Sequence, residues 1–275
     1  MAMWWKAGAV APRMIISTLL VIGFIGPALP VVLQLVLFYG GPATFVLLWL
    51  GIGETPAARA ILSARRMSAP ESAAMSPALD IASSAPTGLY PGQITVTGRC
   101  QQRPVEVFGH HTIVVSRTLP VAVARGAVSS QEAAALLVHA EGVLRAGLCR
   151  HDPALWFWTT PTRVILAMFG QRRLKSPVLI FAWRMRWVVG AVAVYQSATT
   201  GPPTAGLVIG VILSLMIGLT YMTPWCARRW DRHLTKIGDQ AVRDADLGPS
   251  LAGYLERSMS LTVGTLERIK TLDHA

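Results

Sequence analysis

Two long stretches of the chain are apolar and contain no charged residue. The first covers residues 14–53, which as a helix would be about 60 Å long, or two crossings of a ~30 Å hydrocarbon core. Pro27 and Pro30 divide this stretch, because neither residue fits easily in the interior of one straight helix. The pattern therefore predicts a transmembrane hairpin with arms at about 14–29 and 31–52.

The second uncharged stretch covers residues 187–227 and is interrupted by the turn-forming segment 197–206. It predicts a second hairpin, whose later arm is 207–223 and whose earlier arm must begin near residue 178 to be long enough. The earlier arm would carry Arg184 and Arg186, which we place at the membrane interface beside two tryptophans.

Basic residues gather at the open ends of both predicted hairpins, whereas the turns carry no charge. These residues are Arg13, Arg59, Arg65, Arg66, Arg172, Arg173, Lys175, Arg228 and Arg229. By the positive-inside rule, this distribution places both termini and the middle of the chain in the cytoplasm. The many Ala, Gly and Arg residues are typical of proteins encoded by GC-rich bacterial or phage genomes. Together with the two hairpins, this predicts a multi-pass protein of the bacterial cytoplasmic membrane.

The region between the hairpins has mixed patterns. β-Branched runs bounded by Gly and Pro predict a small sheet over residues 93–119, and Ser129 with Glu132 predicts a capped helix that ends at Gly147. Residues 54–92 are rich in Ala, Ser and Pro, which is typical of a mobile linker or a partly helical connector. The predicted organisation is an N-terminal hairpin 1–53, a connector 54–92, a sheet with its helix 93–152, an amphipathic interfacial segment 153–177, a second hairpin 178–227, and cytoplasmic helices 228–275 with a break at 246–250.

The composition agrees with a membrane protein and narrows the choice of partners. Hydrophobic residues make up 52% of the chain and charged residues only 14%, a balance that soluble domains rarely show. The net charge is +11, but the basic residues flank apolar runs, so we expect a lipid bilayer as partner and no nucleic acid. Cys100, Cys149 and Cys226 lack CxxC spacing, which argues against a disulfide framework and a cysteine zinc site.

The order of these segments and two local motifs resemble a known family. The segment "IVVSRTL" at 113–119 is followed by "SSQEAAALLVHAEGV" at 129–143, and "DRHLTKIGD" stands at 231–239. These are similar to the strand, the HExxH helix and the ExxxD helix of the HtpX-like integral-membrane zinc metalloproteases, relatives of the CAAX prenyl proteases. The resemblance implies an α-helical multi-pass membrane protein, with about four transmembrane helices in two hairpins and a small α+β metalloprotease-like cytoplasmic domain.

The resemblance also implies which part of the protease chemistry this chain has lost. His139 stands at the first zinc-ligand position, and Gly142 matches the glycine of the motif. Ala140 replaces the general-base glutamate, Val143 replaces the second histidine, and Thr235 replaces the third ligand, a glutamate. Two positions that support the ligands are retained, as Arg232 and Asp239.

Zinc binding by such a helix depends on helical spacing. Residues i and i+4 lie about 40° apart and reach one metal, whereas Glu141, at i+2 from His139, lies about 200° away. We expect Glu141 to be solvated or ion-paired. A catalytic zinc needs three protein ligands and a water, so we expect no catalytic residue and no cofactor. The alternative is a zinc site rebuilt around His139 with replacement ligands drawn from His110, His111, His151 and His233.

The leading functional hypothesis is a catalytically inactive, metalloprotease-like membrane protein that binds or regulates a membrane-protein or peptide partner. In relatives, the strand beside the zinc helix binds substrate by adding a backbone strand, which does not require zinc. The residues at that strand are Ile113, Val114, Val115 and Ser116. If the source is a phage or prophage, an envelope-acting exclusion or immunity role is a further hypothesis. The alternatives are a divergent active zinc endopeptidase and a structural multi-pass membrane protein.

Overall fold

A computed structural model describes most of the chain and divides it into two compact units. The described residues are 2–22, 28–85, 94–97, 104–168, 203–258 and 263–273, with scattered positions between 181 and 199. The first unit, here called the helical unit, consists of Met1–Gly41 and Trp158–Arg232. The second, here called the sheet domain, consists of Pro42–Phe157 and His233–Ala275.

The described elements are mainly helical. Up to the end of the sheet they are α1 Ala2–Leu20, α2 Val31–Leu35, a π-helical segment Val36–Gly40, α3 Gly41–Trp49, α4 Glu54–Leu62, β1 Ala64–Arg66, α5 Ala69–Ser84, β2 Ile94–Thr97, β3 Val105–Phe108 and β4 Thr112–Ser116. The elements that follow are α6 Thr118–Ala124, α7 Ser130–Arg145, α8 Asp152–Met168, α9 Pro203–Asp244, α10 Gly248–Ser258 and α11 Val263–Asp273.

The sheet has four strands in the order β1, β2, β4, β3. β1 pairs antiparallel with β2, β2 runs parallel to β4, and β3 pairs antiparallel with β4. The sequence predicted the sheet over residues 93–119, and three of the strands confirm it. β1 was missed, because a three-residue strand of Ala and two Arg has none of the β-branched residues that indicate a strand.

Side chains of the central strand β4 alternate between two apolar clusters. Ile113 and Val115 pack in the larger cluster, with residues of α5, α7, α9, α10 and α11. Val114 packs on the other face, with Phe108 and residues at α4. This is the period-two alternation of a strand, and it explains why the run of Ile and Val is buried on both faces.

The helix that carries His139 begins at the predicted cap. The backbone N–H of Glu132 donates to Ser129 Oγ at 3.2 Å, and the backbone N–H of Ser129 donates to Glu132 Oε2 at 2.8 Å. Such caps typically stabilise a helix by about 1 kcal/mol. Glu132 also forms an ion pair with Arg257 of α10, so the same carboxylate joins the start of α7 to the C-terminal helices.

Residues 54–85 are part of the domain core and are not a mobile linker. On α5, Met75, Ala78 and Ala82 are fully buried, and they belong to the larger apolar cluster. A second capping box, formed by Ser68 and Glu71, opens this helix. The alternative of a partly helical connector agrees with α4 and α5, and small residues such as Ala allow such helices to pack closely. Residues 86–93 of the predicted connector lie outside the described residues.

The predicted fold with about four transmembrane helices is wrong. Within the described ranges, one helical segment, Val31–Trp49, is long and apolar enough to cross a membrane. The predicted first arm overlaps α1, which begins at Ala2 and includes Lys6 and Arg13. An uncharged stretch shows that a segment is apolar, but it does not determine where its helix begins.

The later part of the second predicted hairpin also differs from the prediction. The arm 207–223 does not form a separate helix, because α9 continues past it through Arg228, Arg229 and Arg232 to Asp244. The break predicted at 246–250 is confirmed, since α9 ends at Asp244 and α10 starts at Gly248. The turn of that hairpin near 200–202 and the interfacial residues 169–177 lie outside the described residues, as does most of the earlier arm.

Candidate functional site

The helix α7 and the end of α9 approach each other closely at two glycines. A Cβ at Gly142 of α7 would collide with the Cβ of Ala241, and a Cβ at Gly238 of α9 would collide with the ring of His139. Only glycine leaves room for both contacts. The glycine that matched the zinc-helix motif therefore has a packing role here, which brings the two motifs of the sequence resemblance together.

This contact places His139 beside Asp239. His139 Nε2 lies 3.4 Å from Asp239 Oδ1, which is longer than most hydrogen bonds between side chains. The nitrogen is buried and has no hydrogen-bond partner among the described residues. The two side chains are thus in contact, but more loosely than in a hydrogen bond.

The principal partner of Asp239 is an arginine of the last helix. Arg268 Nε donates to Asp239 Oδ2 at 2.8 Å, and Arg268 Nη2 donates to Asp239 Oδ1 at 2.6 Å. This is a bidentate guanidinium–carboxylate pair, the geometry in which arginine binds a carboxylate most strongly. The Asp239 side chain is 9% exposed, whereas that of Arg268 is 22% exposed, so the carboxylate is the more buried partner.

Opposing effects act on the pKa of Asp239. Burial by itself raises the pKa, but the neighbouring His139 and Arg268 lower it, and the net shift is downward. The contacts with His139 and Arg268 thus favour the charged form of Asp239.

The positions that matched the lost protease residues lie on the same two helices. Ala140 and Val143 are buried, and Thr235 is half-buried on α9, one turn before Asp239. In the part of the chain that the structure describes, no three His, Cys, Asp or Glu side chains are grouped so that they could hold a metal ion. The expectation that no cofactor binds stays a prediction.

No model of a protein family, no curated protein and no solved structure matches this chain. The likeness to HtpX-like metalloproteases accordingly stays a prediction that rests on the residues themselves.

Three of the histidines considered as replacement ligands form a separate group. Glu54 Oε1 lies 2.7 Å from His110 Nδ1, and the same carboxylate accepts the backbone N–H groups of His110 at 2.6 Å and His111 at 3.1 Å. His151 stacks on Trp49 with ring centroids 3.9 Å apart. Trp49 ends α3 and Glu54 begins α4, so these three histidines lie near the turn between the two helices. The fourth candidate, His233, is half-buried on α9.

The strand prediction needs a correction. Ile113, Val114, Val115 and Ser116 belong to β4, which pairs with β2 on one side and β3 on the other. All four residues are buried. Because both sides of β4 are hydrogen-bonded, it is an interior strand and cannot accept an added strand. The sequence motif identified a core strand, and the described strand at the sheet end beside α7 is β3.

Two further residues named in the sequence analysis are Glu141 and Arg232. Glu141 forms an ion pair with Arg145, with Oε1 and Nε 3.1 Å apart, so the expectation of an ion pair is confirmed. Arg232 is exposed, and its Nε approaches the carbonyl oxygen of Arg228 one turn earlier at 3.4 Å. The arginine that binds Asp239 is Arg268.

Sequence reasoning missed Arg268 and Glu54. Arg268 is one of several charged residues on an amphipathic tail, and it has no spacing that relates it to His139. Glu54 was interpreted as the charge that ends an apolar run. The sequence does contain an indication of its role. Gly51 and Gly53 mark a tight turn with positive φ, and the carboxylate of Glu54 directly after that turn can accept backbone N–H groups.

Proposed function

We propose that this chain is a catalytically inactive, metalloprotease-like protein that associates with a membrane and binds an extended segment of a partner protein. The observation that carries the proposal is the contact of Arg268 with Asp239 beside His139. Here the guanidinium supplies positive charge next to the one retained ligand position. A fixed cation of this kind neutralises the carboxylate without a metal.

The chemistry of the replaced positions supports the absence of proteolysis. Ala140 has no group that can accept a proton, and Val143 has no metal-binding atom. Loss of a general base typically lowers a rate by about 10² to 10⁴, and loss of the metal removes both the activated water and the Lewis acid. With both missing, the fold is left with its packing and its binding surfaces.

The segment Val31–Trp49 supports membrane association. Its 19 residues would span about 28 Å as a helix, close to the ~30 Å hydrocarbon thickness of a bilayer. Only 6% of its most apolar window is buried, and Val32 and Val36 are 71% and 62% exposed. A core helix would cover these side chains, so a lipid bilayer is the partner that we propose for this surface.

The partner segment would add to β3. Ser116 N donates to the carbonyl oxygen of Pro104 at 2.8 Å, so the alternation of an antiparallel ladder directs the backbone groups of Glu106 and Phe108 toward β4. The N–H and C=O groups of Val105 and Val107 therefore point to the other side. An extended peptide could bind there by backbone hydrogen bonds, as strand addition requires.

Metal analysis of the purified chain tests the absence of the protease site. We expect substoichiometric zinc that does not change in His139→Ala. About one zinc per chain, lost in His139→Ala, would instead support the alternative of an active protease with rebuilt ligands.

Strand addition is tested with Val107→Pro, which removes an outward N–H without removing a hydrogen bond to β4. Val107→Ala is the matched control for the lost side chain. On an immobilised library of unstructured peptides, we expect the alanine variant to bind like wild type and the proline variant to lose binding. Equal binding by all three proteins would contradict strand addition and favour a purely structural role.

The cellular placement remains a prediction. Reporter fusions after Glu54 and Ala275 would check whether both positions are cytoplasmic, as the basic residues indicate. An envelope-acting exclusion or immunity role of the phage or prophage type is likewise a hypothesis, and it would be tested by identifying the bound partner.

A further inference from the structure

Two tryptophans and an arginine form a stacked group in the helical unit. Trp5 of α1 and Trp225 of α9 meet edge to face, with ring centroids 4.7 Å apart. Arg229 Cζ lies 5.5 Å from the Trp225 ring centroid and 5.8 Å from that of Trp5. These distances fit cation–π contact. The contacts hold an exposed guanidinium in place beside two aromatic rings.

The two helices are in close contact at this point. A Cβ at Gly8 would lie 2.6 Å from Cys226 Sγ, so the backbone of α1 approaches α9 as closely as a glycine allows. Lys6 is buried, with its Nζ 5.5 Å from the Trp230 ring centroid. The stacked group therefore lies where α1 and α9 pack closely against each other.

Exposed residues on this part of α9 change in character along the helix. Tyr221, Trp225, Arg228 and Arg232 follow the spacing i, i+4, i+7 and i+11, which places them on one face. Tyr221 and Trp225 are each 40% exposed, and Met222 beside them is 50% exposed. All three arginines that follow, including Arg229, are exposed. One end of the face is thus apolar and aromatic, and the other end is basic.

We infer that this face binds the headgroups of anionic phospholipids. It consists of Tyr221, Met222, Trp225, Arg228, Arg229 and Arg232, together with Trp5. The inference rests on the proposed membrane association and names the lipid class. Aromatic rings favour the interface of a bilayer, and planar guanidinium groups bind phosphate oxygens through paired N–H donors. Three arginines oppose one acid, Asp231, within residues 221–232, so the face is complementary to negative charge.

The test uses the full chain and vesicles of phosphatidylcholine, with or without about a third of phosphatidylglycerol. A variant with Arg228→Gln, Arg229→Gln and Arg232→Gln is compared with a matched variant that carries Arg117→Gln, Arg125→Gln and Lys270→Gln. The matched set removes the same charge from exposed positions outside this face. Partition is measured at limiting lipid by flotation.

We expect wild type and the matched variant to prefer the anionic vesicles, and the Arg228/Arg229/Arg232 variant to lose most of that preference. Each arginine should account for about a fivefold change in partition, weakened as salt rises from about 0.1 M to about 0.5 M. Inorganic phosphate at the same ionic strength should not displace the protein.

Other outcomes separate the two proposals. If all three proteins show the same preference, or if phosphate displaces the protein, the headgroup assignment is wrong. If wild type associates equally with both vesicles, the headgroup assignment fails while the proposed membrane association stands. If no vesicle binds the protein, both proposals fail.

Discussion

Two groups in the sheet domain join a histidine to a buried carboxylate, and they differ in how their polar atoms are satisfied. At Glu54 the carboxylate accepts two backbone N–H groups and meets the His110 ring at hydrogen-bond distance. At Asp239 the carboxylate is bound by Arg268, and the His139 Nε2 has no hydrogen-bond partner among the described residues. The first group is a structural clasp, in which backbone N–H groups bind the carboxylate, whereas in the second an arginine side chain binds the carboxylate beside a histidine.

The difference shows why a cluster of histidines alone is weak evidence for a metal. The Glu54 group contains more histidines, yet its carboxylate accepts the backbone N–H groups of His110 and His111. The His139 group has one histidine, but it lies where two sequence motifs meet. An unsatisfied buried nitrogen beside a charged carboxylate is the more informative feature, because such atoms usually have a partner in proteins.

We expect the largest effect from substitutions that convert the His139 group into a metal site. A chain with Val143→His, Thr235→Glu and Arg268→Ala should bind about one zinc, because it has with His139 the three-ligand set that the resemblance implies and lacks the competing cation. Metal analysis after purification would measure this.

The same Val143→His and Thr235→Glu changes with Arg268 retained should bind much less zinc, because a guanidinium beside the site repels a dication. If the triple variant binds no zinc, residues 143 and 235 do not face His139, and the proposed protease ancestry loses its main support.

The clasp should contribute more stability than the arginine pair. Glu54→Ala leaves the partly buried N–H donors of His110 and His111 without their acceptor and removes the contact with the His110 ring, so we expect a loss of about 3 kcal/mol in the free energy of unfolding. Glu54→Gln keeps an acceptor oxygen and should cost about 1 kcal/mol. Denaturant unfolding of the purified chain provides both values, and similar values for the two variants would argue against the clasp.

Breaking the arginine pair should have a smaller effect, because the Arg268 side chain is 22% exposed. Arg268→Met should lower the free energy of unfolding by about 2 kcal/mol, since it leaves Asp239 charged and buried. Combining it with Asp239→Asn should recover part of the loss, as expected for coupled residues. Strict additivity in this double-mutant cycle would contradict the pairing.

The smallest effect concerns a third carboxylate, which is ion-paired at the surface. A hydrogen bond from Arg65 lowers the pKa of Glu71 to about 2 despite the opposing effect of burial, with further hydrogen bonds from Ser68. Because the folded pKa is below the usual value of 4.5, the stabilisation is complete above about pH 4.5 and is lost as pH falls toward 2.

Glu71→Gln should therefore flatten the acid side of the stability profile, measured by thermal unfolding between those pH values. The lowered pKa of Asp239 acts in the same direction, so Asp239→Asn should also reduce the acid sensitivity. An unchanged acid profile in Glu71→Gln would mean that the Arg65 contact is not maintained in solution.

Parts of the fold and of the site could be predicted because their causes are local. The Ser129–Glu132 cap and the alternating burial of Ile113 to Val115 follow from residues a few positions apart. The number of membrane spans was wrong, because charge-free length does not show where a helix starts or whether it continues. The docking strand was wrong because an Ile and Val run is equally typical of an interior strand.

The sequence by itself determined the capped helix with His139 and the apolar character of the segment predicted at residues 31–52. These features depend on hydrogen bonds and periodicity within one element. Only the tertiary structure decided that Arg268 binds Asp239, that Glu54 receives His110 and His111, and that β4 lies inside the sheet. Such pairings join residues far apart in the chain, and their partners are chosen by packing, which no local pattern encodes.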